Sequence, residues 1–192
     1  MLMMLKDILK TLAFSLIPAF IFAFLVILSM PLFQKNGIKK VFKIFFEDIK
    51  EKKENLYLLF FLMYIFIVFY KTVLQRDFIY SPLENVFGGW KIFMTQYTGL
   101  DYQVIGNILM FIPFSLFFCL MKKTQSVKYL LLLSILFSFL YSLLIELNQL
   151  IFSKGTFQLS DIVYNTLGGL IGALIYLAVK LIINKIKEKG AK

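Results

Sequence analysis

The side chains best able to do chemistry in this sequence lie inside apolar runs. Glu146 and Gln149 interrupt the run 129–152, Asn107 stands near the start of the run 104–121, and Asp161 and Asn165 flank the opening of the run 162–183. A charged group inside a membrane helix costs ~2.5–3.5 kcal/mol on insertion scales, so each such group needs a partner or a wet cavity. Two carboxylates could work as general acid and base, or, with three amides, could hold a polar headgroup. The same groups could instead join helices at about 0.6 kcal/mol per bond, with Asp161 as a helix N-cap.

Composition removes most other chemistries. Histidine is absent and Cys119 is the one cysteine, which excludes disulfides, structural zinc sites, Cys-His nucleophiles and histidine-based phosphatase or metalloprotease mechanisms. Neither a metal site nor a cofactor is expected. No residue stands out as an activated nucleophile, so an intramembrane enzyme would have to rest on Glu146 and Asp161 alone.

The elements that position these residues must be membrane helices. The chain has 192 residues, 60% of them hydrophobic, with 23 phenylalanines and a mean hydropathy of +0.81. A soluble domain of that size would be left with large exposed apolar patches. A hydrocarbon core of ~30 Å takes about 20 apolar residues in a helix, and only helices and closed barrels satisfy their own backbone there. Five runs qualify, at 11–33, 56–74, 104–121, 129–152 and 162–183, and none alternates like a barrel strand. The expected fold is therefore an all-α, polytopic bundle forming one transmembrane domain over residues 1–192. Pro18 and Pro31 leave open a kinked or re-entrant first segment.

Helical periodicity gathers the polar residues. At 100° per residue Ser134, Ser138, Ser142, Glu146 and Gln149 make one stripe on the fourth span. Asp161 and Asn165 are four apart on the fifth, and Gly168, Gly169 and Gly172 continue that face as a helix-packing surface. With ~1.5 Å of rise per residue, Asn107 and Asn165 fall about 5 Å inside one membrane boundary and Glu146 about 9 Å.

Charge sets the orientation. Lysine and arginine number 21 against 11 acids, a net charge of +10. Fifteen of the 21 fall on the side holding the loop after span one, the loop after span three and the C-terminus; six, including Arg76, fall on the other. The positive-inside rule then places the C-terminus in the cytoplasm and the N-terminus outside, with the polar group in the outer leaflet half. Anionic lipid, rather than nucleic acid, is the partner this charge implies. Residues 34–54 read as a cytoplasmic amphipathic helix, with Ile38, Val41, Phe42, Phe45 and Ile49 on one face, either a connector or a lipid-sensing element. Residues 75–103, with Pro82, Gly88, Gly89, Trp90 and the tyrosines Tyr80 and Tyr97, could lie on the outer interface as a lid.

Three blocks carry a resemblance. The stretch from Gly106 to Phe114 (GNILMFIPF), Ile145 to Gln149 (IELNQ) and Asp161 to Gly169 (DIVYNTLGG), in that order and context, resemble the VanZ-like family over about 71–176. The resemblance implies Asn107, Glu146, Gln149, Asp161 and Asn165 as motif residues and Arg76 as a basic residue after the preceding span. It also implies a bacterial cell-envelope protein contributing to low-level resistance to teicoplanin, a lipoglycopeptide acting on cell-wall precursors, with a lipid-linked precursor or the drug as partner. One departure is plain: where the family commonly places an arginine and further acids, Lys154 is only adjacent to the arginine place, and Gln158 and Ser160 occupy the acidic ones. Polar convergence without a nucleophile favours a non-catalytic, headgroup-binding role; an enzyme acting on a lipid-linked substrate and a small transporter are the alternatives.

The orientation is tested in a Cys119→Ser background with single cysteines and an impermeant thiol reagent. Intact cells should label a cysteine at position 91 and leave those at 39 and 123 unlabelled. Labelling at 39 but not at 91 reverses the topology.

Overall fold

The computed structural model describes residues 2–29, 47, 53–90, 101–122 and 126–190. The expected amphipathic helix at 34–54 falls almost wholly outside the described residues. Five helices account for nearly all the described regular structure, and no strand occurs among the described residues: α1 (Leu2–Leu28), α2 (Lys53–Phe69), α3 (Tyr102–Met121), α4 (Val127–Phe152) and α5 (Leu159–Gly190). All five contain a segment long and apolar enough to cross a membrane. The all-α, multi-pass reading therefore holds, and the described part of the first apolar run is a continuous helix as far as Leu28, with Pro18 on its exposed side.

The helix ends differ from the apolar runs, because hydropathy locates what lipid covers and hydrogen bonding locates where a helix stops. α1 begins nine residues before Thr11 and runs to Leu28, after which the N–H of Ser29 bonds back to Leu25 and its hydroxyl donates to the Val26 carbonyl at 2.6 Å; the last residues of the expected run, 30–33, lie outside the described residues. α5 begins at Leu159, which puts Asp161 inside the first turn rather than ahead of it. At 32 residues α5 is ~48 Å long, so its lysine-rich end, Lys185 to Lys189, extends beyond what ~30 Å of hydrocarbon would cover.

The chain divides into two compact units, Met1–Arg76 and Asp77–Lys192. In the first, Thr11, Ser15, Ala19, Ala23 and Ile27 recur every four residues and are all buried, forming a ridge of mostly small side chains. Ala23 and Ile27 form a core with Leu59, flanked by Phe24, Leu58, Leu62 and Met63, while Phe22 meets Phe66 at 5.4 Å between ring centroids. α2 runs on into one π-helical turn, Tyr70–Leu74, closed by the Gln75 N–H on the Tyr70 carbonyl at 2.8 Å. The Gln75 side-chain carbonyl then accepts the Thr11 hydroxyl at 2.8 Å, tying the two helices together.

In the second unit, α5 packs most extensively on α3 and next on α4. The glycines explain how closely. A Cβ at Gly168 would strike the carbonyl oxygen of Ile108, one at Gly172 would meet Ile112 and Ser115 on α3, and one at Gly169 would strike the side chain of Ser138 on α4. α3 and α4 are joined differently, through rings: Phe114 stacks on Tyr141 at 5.2 Å, Phe111 lies 6.0 Å from the same ring, and Phe118 meets Phe137 at 5.0 Å.

Gly168→Ala and Gly172→Ala should each lower stability by ~1–3 kcal/mol through overpacking against α3 backbone. Gly106→Ala, where a Cβ meets nothing within 4 Å, should be neutral or raise it by up to ~1 kcal/mol through helix propensity. Unfolding of purified protein in mixed detergent and SDS measures both.

Candidate functional site

The polar residues singled out in the sequence converge on one end of the second unit. Asp101 caps α3, its carboxylate accepting the Gln103 N–H at 2.9 Å, which starts the helix so that Gln103 and Asn107 follow four apart. α4 buries Ser134, Ser138, Ser142, Glu146 and Gln149 on one face. It stops at Ser153, which is left-handed (φ 52°), while the N–H of Lys154 bonds back to the Gln149 carbonyl at 2.9 Å. That reversal brings the start of α5, with Ser160, Asp161 and Asn165 all buried, back beside the end of α4.

Glu146 is 1% exposed, and its Oε2 accepts the backbone N–H of Gln158 at 2.7 Å. Gln158 immediately precedes α5, so a carboxylate from α4 supplies the acceptor that a helix start otherwise draws from its own third residue. That third residue is Asp161, and its Oδ2 faces the Gln103 side-chain amide of α3 at a long 3.4 Å. Both acids therefore lie at the positive end of α5, where the helix dipole favours negative charge.

One turn deeper, Asn165 donates its amide to the Ser142 hydroxyl at 2.8 Å. Asn107 stands at a similar level on α3, since Gln103 meets Asp161 above it and Ile108 meets Gly168 just below. The Asn107 amide nitrogen, the Asn165 carbonyl oxygen and the hydroxyls of Ser138 and Ser160 are buried with no hydrogen-bond partner among the described residues. Gln149 is fully buried on the Glu146 face. Further in, the Cys119 thiol approaches the Ser134 hydroxyl at 3.4 Å.

The structure thus places Asn107, Glu146, Gln149, Asp161 and Asn165 in one unit on three adjoining helices, with Gly168, Gly169 and Gly172 setting the spacing. Arg76 is half-buried at the end of the other unit, directly after the π-helical turn and Gln75. Among the described residues no three acidic or cysteine side chains cluster as a metal site would require.

Two contributors escape sequence reasoning. One partner of Glu146 is a backbone N–H, which leaves no side-chain signature. Gln103 had a signature, the four-residue spacing to Asn107, but it lies just outside the apolar run. The segment 77–90 also contributes: Ile79 N–H to Ser153, Phe157 N–H to Pro82 and Leu159 N–H to Val86, each at 2.8–2.9 Å, tie it to the α4–α5 connection.

The three blocks on which the family resemblance rests are therefore one spatial group, and the VanZ/LLP1 family model matches residues 54–182. The chain belongs to the VanZ/LLP1 family. Comparisons with curated proteins and with solved structures give no match. The VanZ/LLP1 match takes in α2, α3, α4 and most of α5, and so every residue of the polar group. Where the resemblance implies an acid at Gln158, the contact to Glu146 is made by the backbone N–H, which does not depend on the side chain.

Replacing Glu146 by leucine should strand the buried Gln158 N–H and cost ~1–3 kcal/mol, whereas Glu146→Gln keeps a carbonyl acceptor and should lose clearly less. Glu54→Leu, on a partly exposed first turn of α2, is the control and should stay within about 0.5 kcal/mol of wild type. Thermal unfolding in detergent orders the three variants.

Proposed function

We propose that this VanZ-like membrane protein is a non-catalytic component of a Gram-positive cell envelope. Its polar group receives a lipid or lipid-linked headgroup and so contributes to low-level resistance to teicoplanin and related lipoglycopeptides. One observation carries this reading. Three packed helices deliver two carboxylates and three amides to one end of the unit, with buried hydrogen-bonding atoms to spare and no residue that stands out as an activated nucleophile. Such a set suits recognition of a polar group more readily than covalent chemistry.

The basic-residue asymmetry supports the orientation this role requires: C-terminus cytoplasmic, N-terminus outside, polar group in the outer leaflet half. A site at that depth meets the lipid surface on which a lipid-tailed drug concentrates. Each methylene buried in the membrane contributes ~0.8 kcal/mol, roughly fourfold in partitioning, so a modest change in the outer surface alters drug occupancy severalfold. A drug of the same target class without a tail lacks that sensitivity.

Expression in a susceptible Gram-positive host should lower susceptibility to teicoplanin more than to vancomycin, and Glu146→Leu or Asn165→Leu at matched membrane levels should abolish the difference. Mass spectrometry of the lipid-linked precursors should show them unaltered. A chemically altered precursor would replace this reading with an enzymatic one, in which Glu146 and Asp161 are acid and base; unchanged susceptibility to both drugs would remove the resistance role.

A further inference from the structure

The segment 77–90 shows two unlike sides. Its backbone is held against the α4–α5 connection by the bonds of Ile79, Pro82 and Val86, and internal turns satisfy Glu84 on Ser81 and Gly88 on Asn85. Gly88 is left-handed (φ 71°) and so close to the α5 start that a Cβ would collide with the Ser160 side chain and press tightly on that of Gln158. Trp90 reaches back to Tyr164 at 6.3 Å between rings. The other side is apolar and uncovered: Phe78 is 58% exposed, Tyr80 94%, Leu83 56%, Phe87 74% and Trp90 54%.

Five large apolar side chains exposed within thirteen residues are too many for a loop in water. Their surroundings indicate what covers them. The segment is bonded to residues at the ends of α4 and α5, next to Ile151, Phe152 and Leu159, whose exposed side chains belong to helices that cross a membrane. The apolar side of the loop is thus continuous with lipid-facing helix surface. It carries Asp77 and Glu84 and no lysine or arginine, so attraction to anionic lipid is not what holds it, and tyrosine and tryptophan are the residues that settle at the headgroup level.

We infer that residues 77–90 form an interfacial lid immersed in the headgroup and upper acyl region of the leaflet at this end of the helices, with Tyr80, Leu83, Phe87 and Trp90 in lipid. The face opposite those side chains lies on Ser160 and on Gln158, whose N–H holds Glu146, so the polar group is separated from lipid by the thickness of one loop. This inference stands whether or not the chain acts on drug susceptibility.

Trp90 is the chain's single tryptophan and reports on the lid directly. In phosphatidylcholine nanodiscs, the emission of the full chain should be blue-shifted and strongly quenched by lipid brominated near the carboxyl end of the acyl chain. It should respond less to lipid brominated near the methyl end, and little to aqueous iodide. The Leu83→Asp, Phe87→Asp double variant, with helical circular dichroism unchanged, should lose lipid quenching and gain iodide quenching. Iodide quenching of the wild type places the loop in water and overturns the inference. Shielding from both quenchers also overturns it, because protein would then be the cover, as does lipid quenching that survives in the double variant.

Discussion

The close approach of α5 to its two neighbours is the contact on which the second unit depends. Lipid tails are as apolar as leucine, so helices in a membrane gain little from burying hydrophobic side chains against one another. Association has to come from packing and hydrogen bonds, and both need backbones close together. Gly168 and Gly172 on one side of α5 and Gly169 on the other provide that closeness against α3 and α4 respectively. Asn165 then reaches Ser142, and Asn107 comes to the same level. Side chains of ordinary size at the three glycines would hold the helices apart and leave those amides isolated in an apolar medium.

The second dependence is electrostatic. A helix that starts within or near lipid must satisfy its first N–H groups, and α5 does so with tertiary partners: the carboxylate of Glu146 for Gln158 and the carbonyl of Val86 for Leu159. Glu146 therefore couples α4 to α5 at the point where the chain reverses. Placing Asp161 in the same first turn sets a second acidic side chain at the end of the helix where the dipole favours negative charge. The buried polar group is in this way also what allows α5 to begin where it does.

Much of this was legible in the sequence, for reasons that differ residue by residue. The five helices follow from long apolar runs, because lipid admits no other local solution for a backbone of this kind. The serine stripe ending in Glu146 and Gln149 follows from 3.6-residue periodicity, and the glycines from their spacing. Where α5 begins was less legible. Leu159 and Ser160 precede the apolar run, and only the Glu146 and Val86 contacts allow the helix to include them. The π-helical turn at Tyr70–Leu74 likewise follows no sequence period; it leads directly into Gln75, whose side chain meets Thr11.

What the sequence by itself determined is which residues lipid must cover and which faces of each helix must be shared, since both follow from local composition and helix geometry. What only the tertiary structure decided is which groups meet across those faces. Glu146 takes the backbone N–H of Gln158, Asp161 faces Gln103, and the segment 77–90 turns its backbone to the α4–α5 connection and its aromatic side chains outward. The physical reason is that backbone donors and acceptors are the same in every residue. A partner made of backbone leaves no mark in the sequence, and it acquires an identity only when the fold brings it within about 3 Å of a side chain that needs it.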